Sequence, residues 1–140
     1  MIFVAATANH IEQLPAEMIR KGRFDQVFFC DLPSPEERAD IISIHISDAG
    51  DDPKAFNMKE LVSATNELNG AEIEQMVAGG RINALAEKRE FNTDDLIKYC
   101  DTIVPLSRTM SEQIKSIRDW AWDRATPASS GKGMEFDLAE

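Results

Sequence analysis

Apolar positions follow two different rhythms along the chain. Residues 2–6, Ile-Phe-Val-Ala-Ala, are an unbroken apolar run with no charged or ionisable side chain before His10. A run without polar alternation predicts a strand covered on both faces, as in a parallel sheet. Residues 26–30 predict a second short strand, and residues 14–19 a helical turn with Pro15 at its first position. From residue 35 onward the period changes. Apolar residues recur every three or four positions, which predicts a helix from 35 to the break at Gly50 and further helices over 58–64, 70–88, 93–101 and 107–124. Ile41, Ile42, Ile44 and His45 fall on one side of the first, and Met110, Ile114, Ile117, Trp120 and Ala121 form a packing stripe on the last.

The breaks between elements are explicit. Pro33 and Pro35 fix the backbone of a linker that starts at Asp31. Ser34, Pro35, Glu36 and Glu37 then form a strong helix start: a cap, a first-turn proline and two acids at the positive helix end. Gly50 and Pro53 break the chain again, and Thr93 reads as a helix cap with Asp94 and Asp95 in the first turn. The expected organisation is an α/β remnant at 1–34, holding the last strands of a parallel sheet, followed by an all-α bundle at 35–104. A C-terminal helix at 105–126 and a linker-like, disordered tail at 127–140 complete it. Two strands cannot bury their faces alone, so the first segment is expected to be the latter part of a longer core.

Composition narrows the function classes. A net charge of −10 and a pI near 4.6 argue against nucleic-acid binding, which depends on basic phosphate contacts. No apolar run is long enough to cross a bilayer, and no secretory signal opens the chain, so a cytoplasmic protein is expected. Cys30 and Cys100 lack metal-binding spacing and read as reduced, half-buried thiols.

Three groups of residues could carry chemistry. Asn9 follows the first predicted strand, at the carboxyl end of the sheet where open α/β folds bind ligands; an amide there can orient a water or simply make the turn. Arg20 and Arg23 flank a glycine turn and can project together to stabilise charge on a phosphate, or form a solvated basic turn with Arg23 paired to Asp25. His45 and Gly70 are otherwise a core-edge histidine and a helix cap. No Gly-x4-Gly-Lys-Ser/Thr loop occurs, and no apolar strand ends in paired acids.

The order of these features resembles the AAA-type ATPases. A strand, Asn9, eleven residues to Arg20, Arg-Lys-Gly-Arg-Phe-Asp at 20–25, a strand, Asp-Leu-Pro at 31–33, a helix with Ile44-His45 and Gly70-Ala71 opening a later helix run in the family's sequence. The resemblance spans residues 3–101 and implies the last part of the ATPase core followed by its helical lid. It implies that Asn9 is the sensor-1 residue and that Arg20 and Arg23 are arginine fingers acting in trans. His45 would lie near adenine and ribose, and the backbone of Gly70 and Ala71 would approach adenine. ATP is the implied cofactor, with Mg²⁺ held by a part not carried here; a hexameric ring acting on a protein substrate is the implied assembly. Thr7-Ala8-Asn9 stands where Ala-Thr-Asn is commoner, and Asn69-Gly70-Ala71-Glu72 where Ser-Gly-Ala-Asp is. Arg81 is the nearest arginine to a sensor-2 position. The C-terminal helix is similar to a bacterial and plastid branch of single-ring AAA proteins. Lacking the phosphate loop, the chain by itself is not expected to hydrolyse ATP. The alternative is a non-enzymatic helical interaction module.

Overall fold

The computed structural model describes residues 2–13, 15, 17 and 22–129. Its elements are a 3-10 turn at Ile11–Gln13, β1 (Phe28–Phe29), α1 (Pro35–Asp48), a second 3-10 turn at Pro53–Ala55, α2 (Met58–Ala64), α3 (Gly70–Ala86), α4 (Thr93–Cys100), α5 (Leu106–Thr109), α6 (Ser111–Trp122) and β2 (Thr126–Pro127). The architecture is a small parallel strand pair with a helical bundle, the class the apolar pattern predicts.

The bundle is built from helix ends that satisfy themselves locally. Ser34 Oγ accepts from Glu37 N, and Glu37 Oε2 accepts from Ser34 N at 2.8 Å, a capping box that starts α1. α3 and α4 start the same way, on Asn69 with Glu72 and on Asn92 with Asp95. Thr93 is therefore the first residue of α4 and not its cap; its hydroxyl accepts from Asn57 N at 2.9 Å instead. α1 stops at Gly50, whose φ of +90° lets Asp51 N reach back to Ile46 O at 3.1 Å.

The core gathers Ile42, Ile46, Leu61, Leu68, Ile73, Met76, Val77 and Leu96, all buried, with Phe56 stacked at a tilt on Phe91. On α1 the inward stripe is Arg38, Ile42 and Ile46, spaced by four; Ile44 faces outward, contrary to the face expected for it. Packing of α3 on α4 is tight enough that a β-carbon on Gly80 would stand 3.1 Å from Asp95 O. The last helix is divided at Met110 into α5 and α6, and its stripe is half-buried apart from Ala121, which is fully buried.

Two expectations fail at the ends. Residues 2–6 form no strand; Ile2 is 90% and Phe3 93% exposed. A strand's hydrogen bonds come from its neighbours, and among the described residues none pairs with this segment. Residues 127–129, read as part of a disordered tail, instead continue a segment paired in parallel with β1, with Thr126 N donating to Val27 O at 2.9 Å and Ala128 N to Phe29 O at 2.8 Å. The turn expected over 14–19 falls largely outside the described residues, as do residues 130–140. Among the described residues no helix is long and apolar enough to cross a membrane.

Candidate functional site

A cleft of about 370 Å³ lies where the linker meets the bundle. Asp31 and Pro33 of the linker, Glu37, Asp40 and Ile41 of α1, and Gly70 at the start of α3 line it, and Cys30, Ala128 and Ser129 complete its wall. The helix start at Gly70 leaves backbone N–H groups without intrahelical partners. A β-carbon on Gly70 would meet nothing nearer than Ile41 Cδ1 at 3.9 Å, so the backbone stands open there.

The electrostatics of the cleft are acidic. Glu37 accepts from Ser129 Oγ at 2.5 Å and from Ser34 N, and these bonds hold its carboxyl below the usual range. Asp31 is clasped by Arg118, whose Nε and Nη2 donate at 2.8 Å to its two oxygens. Asp40 adds a third carboxylate. Such a rim repels phosphate but can accept from the amino group of a planar base.

The sequence-predicted site residues are not brought to one place. Gly70 lines the cleft, while its neighbour Ala71 is exposed. His45 is half-buried in the last turn of α1 and does not line the cleft. Asn9 is exposed at a bend after the irregular residues 2–8. Arg23 is exposed in the turn set by Gly22, at φ +98°, and is not ion-paired to Asp25. Arg20 lies outside the described residues. Arg81 pairs with Asp51 at 3.0 Å, pinning the loop after α1 to α3. Cys30 is an exposed free thiol and Cys100 a buried one, so neither is half-buried as expected; burial raises the Cys100 pKa. Among the described residues, no group of three or more His, Cys, Asp or Glu is placed to hold a metal ion.

Arg38 is a residue the sequence reading missed. Its side chain is buried, 5% exposed for the whole residue, and donates to Pro33 O at 2.9 Å, Val62 O at 3.2 Å and Asn66 Oδ1 at 3.4 Å. The cation thus ties the linker carbonyl to the C-terminal end of α2, where helix carbonyls favour positive charge. Its Nε is buried without a partner, and burial lowers its pKa from the ordinary arginine value. The signal was present in the spacing: position 38 shares the four-residue stripe of Ile42 and Ile46.

No family model matches the chain, and no solved structure does. Curated sequences do. The uncharacterized AAA domain-containing protein ycf46 of Pyropia yezoensis is 45% identical over 132 residues, covering 91% of this chain and 26% of the relative. The protein of the same name from Trieres chinensis is 40% identical over 137 residues, covering 97% of this chain and 28% of the relative. 26S proteasome regulatory subunit 6A of Saccharomyces cerevisiae is 29% identical over 118 residues, 84% of this chain and 26% of the relative. The chain belongs to the AAA-type ATPases and carries a C-terminal region of one. It spans about a quarter of the length of these curated relatives.

Proposed function

We propose that this chain supplies the adenine side of an ATP site and the arginine fingers of a neighbouring site in a ring-shaped AAA ATPase. The observation that carries the first half is the cleft at the linker, into which the open backbone of Gly70 faces beside Ile41 and Pro33. Its carboxylates disfavour phosphate, so a nucleotide would present its base there and its phosphates to a phosphate loop outside this chain. In this reading residues 35–104 are the lid and residues 1–34 the end of the ATPase core. Gly70 and Ala71 approach adenine, His45 lies toward the ribose, and Asn9 orients the attacking water as sensor 1. Arg20 and Arg23 reach the next subunit's γ-phosphate, with ATP and Mg²⁺ bound by the assembled core. A cytoplasmic hexamer acting on protein is the assembly that fits the family, and the name of the proteasome subunit 6A relative is consistent with it.

The test joins this chain to its natural upstream sequence and follows ATP turnover and nucleotide binding separately. Arg23→Ala is expected to lower turnover by about 10³-fold or more while nucleotide still binds. Gly70→Val is expected to abolish nucleotide binding by filling the cleft. An unchanged rate in an assembled ring of Arg23→Ala removes the finger assignment, and unchanged binding by Gly70→Val removes the adenine site.

A further inference from the structure

The C-terminal segment is fixed at both ends to different parts of the molecule. At its start, Leu106 N donates to Glu72 Oε1 at 2.7 Å, Ser107 Oγ to Glu67 O at 2.8 Å, and Arg108 Nε to Glu67 Oε2 at 2.5 Å. These bonds hold α5 to the first turn of α3 and to the loop before it, on the helical bundle. At its end, Arg118 clasps Asp31 through two parallel hydrogen bonds, and β2 lies along β1. Gln26 Nε2 adds a bond to Thr126 Oγ1 at 2.6 Å. Between the two ends, α6 has 12 residues and is a rigid rod of about 18 Å at 1.5 Å per residue.

Covalently, β1 is joined to the bundle by the short linker at residues 30–34, and the contacts of the C-terminal segment are a second, non-covalent connection. We propose that residues 105–129 act as a brace across this linker, fixing the angle between β1 and the helical bundle until the Arg118–Asp31 clasp and the β2 pairing are released together. The two contacts reinforce each other. Asp31 sits two residues after β1, and Thr126 eight residues after Arg118, so each contact shortens the search for the other. The clasp is bidentate and partly shielded, with side chains 35% and 27% exposed, the geometry in which an ion pair orients as well as attracts. Ser129 carries the segment one step further, crossing from β1 to Glu37 on α1. Ala128 and Ser129 also wall the cleft, so release of the brace opens the cleft and frees the linker in one motion. The brace stands on these contacts alone and holds whether or not the cleft takes a nucleotide.

Spin labels at Asp25→Cys, on the strand side, and Asp48→Cys, at the end of α1, report the angle directly in a Cys30→Ser background of this chain. A single narrow distance distribution is expected. Arg118→Asp and, separately, Thr126→Pro, which removes the N–H donated to Val27 O, are each expected to broaden it at least twofold. Arg118→Asp combined with Asp31→Arg is expected to restore the narrow distribution. Helical circular dichroism and the urea midpoint of the bundle, followed in the same samples, are expected to stay within error. An unchanged width in both single variants overturns the brace, as does a broad distribution that charge exchange fails to narrow. Broadening accompanied by loss of helix also overturns it, because the segment would then hold the bundle folded and not set its angle.

Discussion

Ile73 in α3 and Phe3 near the start of the chain have similar reason to leave water, but Ile73 is fully buried and Phe3 lies open to it. The difference lies in where each finds its partners. α3 closes its own backbone hydrogen bonds, starts on the Asn69–Glu72 box, and meets α1 and α4 within some thirty residues on either side. Residues 2–6 have the composition of a central strand and nothing in the described chain to pair with. Apolar pattern thus leads to burial only when the backbone is satisfied too, within the stretch itself for a helix and by a partner strand for a strand.

This contrast is broken most directly by truncating one side chain of each kind. Ile73→Ala is expected to cost about 2–5 kcal/mol in urea denaturation, from lost transfer energy and the cavity left behind. Phe3→Ser in the same assay is expected to change nothing measurable. A comparable loss from Phe3→Ser would mean that the segment is packed in solution, and the contrast would collapse.

Arg38→Ala tests a cation taken into the core. It leaves the Pro33 carbonyl without the Arg38 donor, takes one of two side-chain donors from the Val62 carbonyl, and is expected to destabilise by about 1–3 kcal/mol. Faster hydrogen exchange across residues 31–34 should accompany the loss. Exchange there that stays as slow as before would separate Arg38 from the linker.

The acid limb of stability probes the other end of the core. Arg89 donates two hydrogen bonds to the buried Asp95 carboxylate, at 2.7 and 2.5 Å, and these hold its pKa below the usual carboxylate range. A pKa lowered on folding stabilises fully above the unfolded value, and the benefit is lost as pH falls through the folded one. The urea midpoint should therefore drop as the solution is acidified below the ordinary carboxylate range, and Asp95→Asn should flatten that drop while lowering the midpoint at neutral pH. An equally steep limb in Asp95→Asn would assign the acid sensitivity to other carboxylates such as Glu37.

The smallest effect expected is a gain. Lys88 ends α3 with φ at +55°, the left-handed region that penalises a β-carbon, and Arg89 N reaches back to Ala84 O past it. Lys88→Gly is expected to raise stability by up to about 1 kcal/mol, partly offset by the freedom glycine gains in the unfolded chain. A fall in the urea midpoint would show that the lysine side chain contributes more than its backbone strain costs.

Much of the helical unit was legible because its signals are local. Ser34-Pro35-Glu36-Glu37 and Gly50 mark the ends of α1 where the structure puts them, and Met58–Ala64 and the start of α3 were readable from period alone. The family order of residues was legible too, and the AAA membership that it implied is supported by the curated relatives. The candidate site was legible only in part. Gly70 reached the cleft, while the partners of Arg38 at Val62, of Glu37 at Ser129 and of Arg118 at Asp31 lie 24, 92 and 87 positions away, and no local pattern names them. Even the inward face of α1 was misjudged at Ile44, since three neighbouring isoleucines cannot all point one way on a helix of 3.6 residues per turn.

By itself, then, the sequence determined where helices start and stop, which family the chain belongs to, and that residues 2–6 have strand composition. Caps, prolines and apolar period act within a few residues, so they are decided before the chain is folded. Only the tertiary structure decided that residues 2–6 find no partner among the described residues, that residues 126–128 take the edge of β1, and that a buried arginine and an Arg118–Asp31 clasp meet at the linker. Those outcomes depend on which distant groups arrive to satisfy a carbonyl, a carboxylate or a strand edge, and that competition is settled by packing.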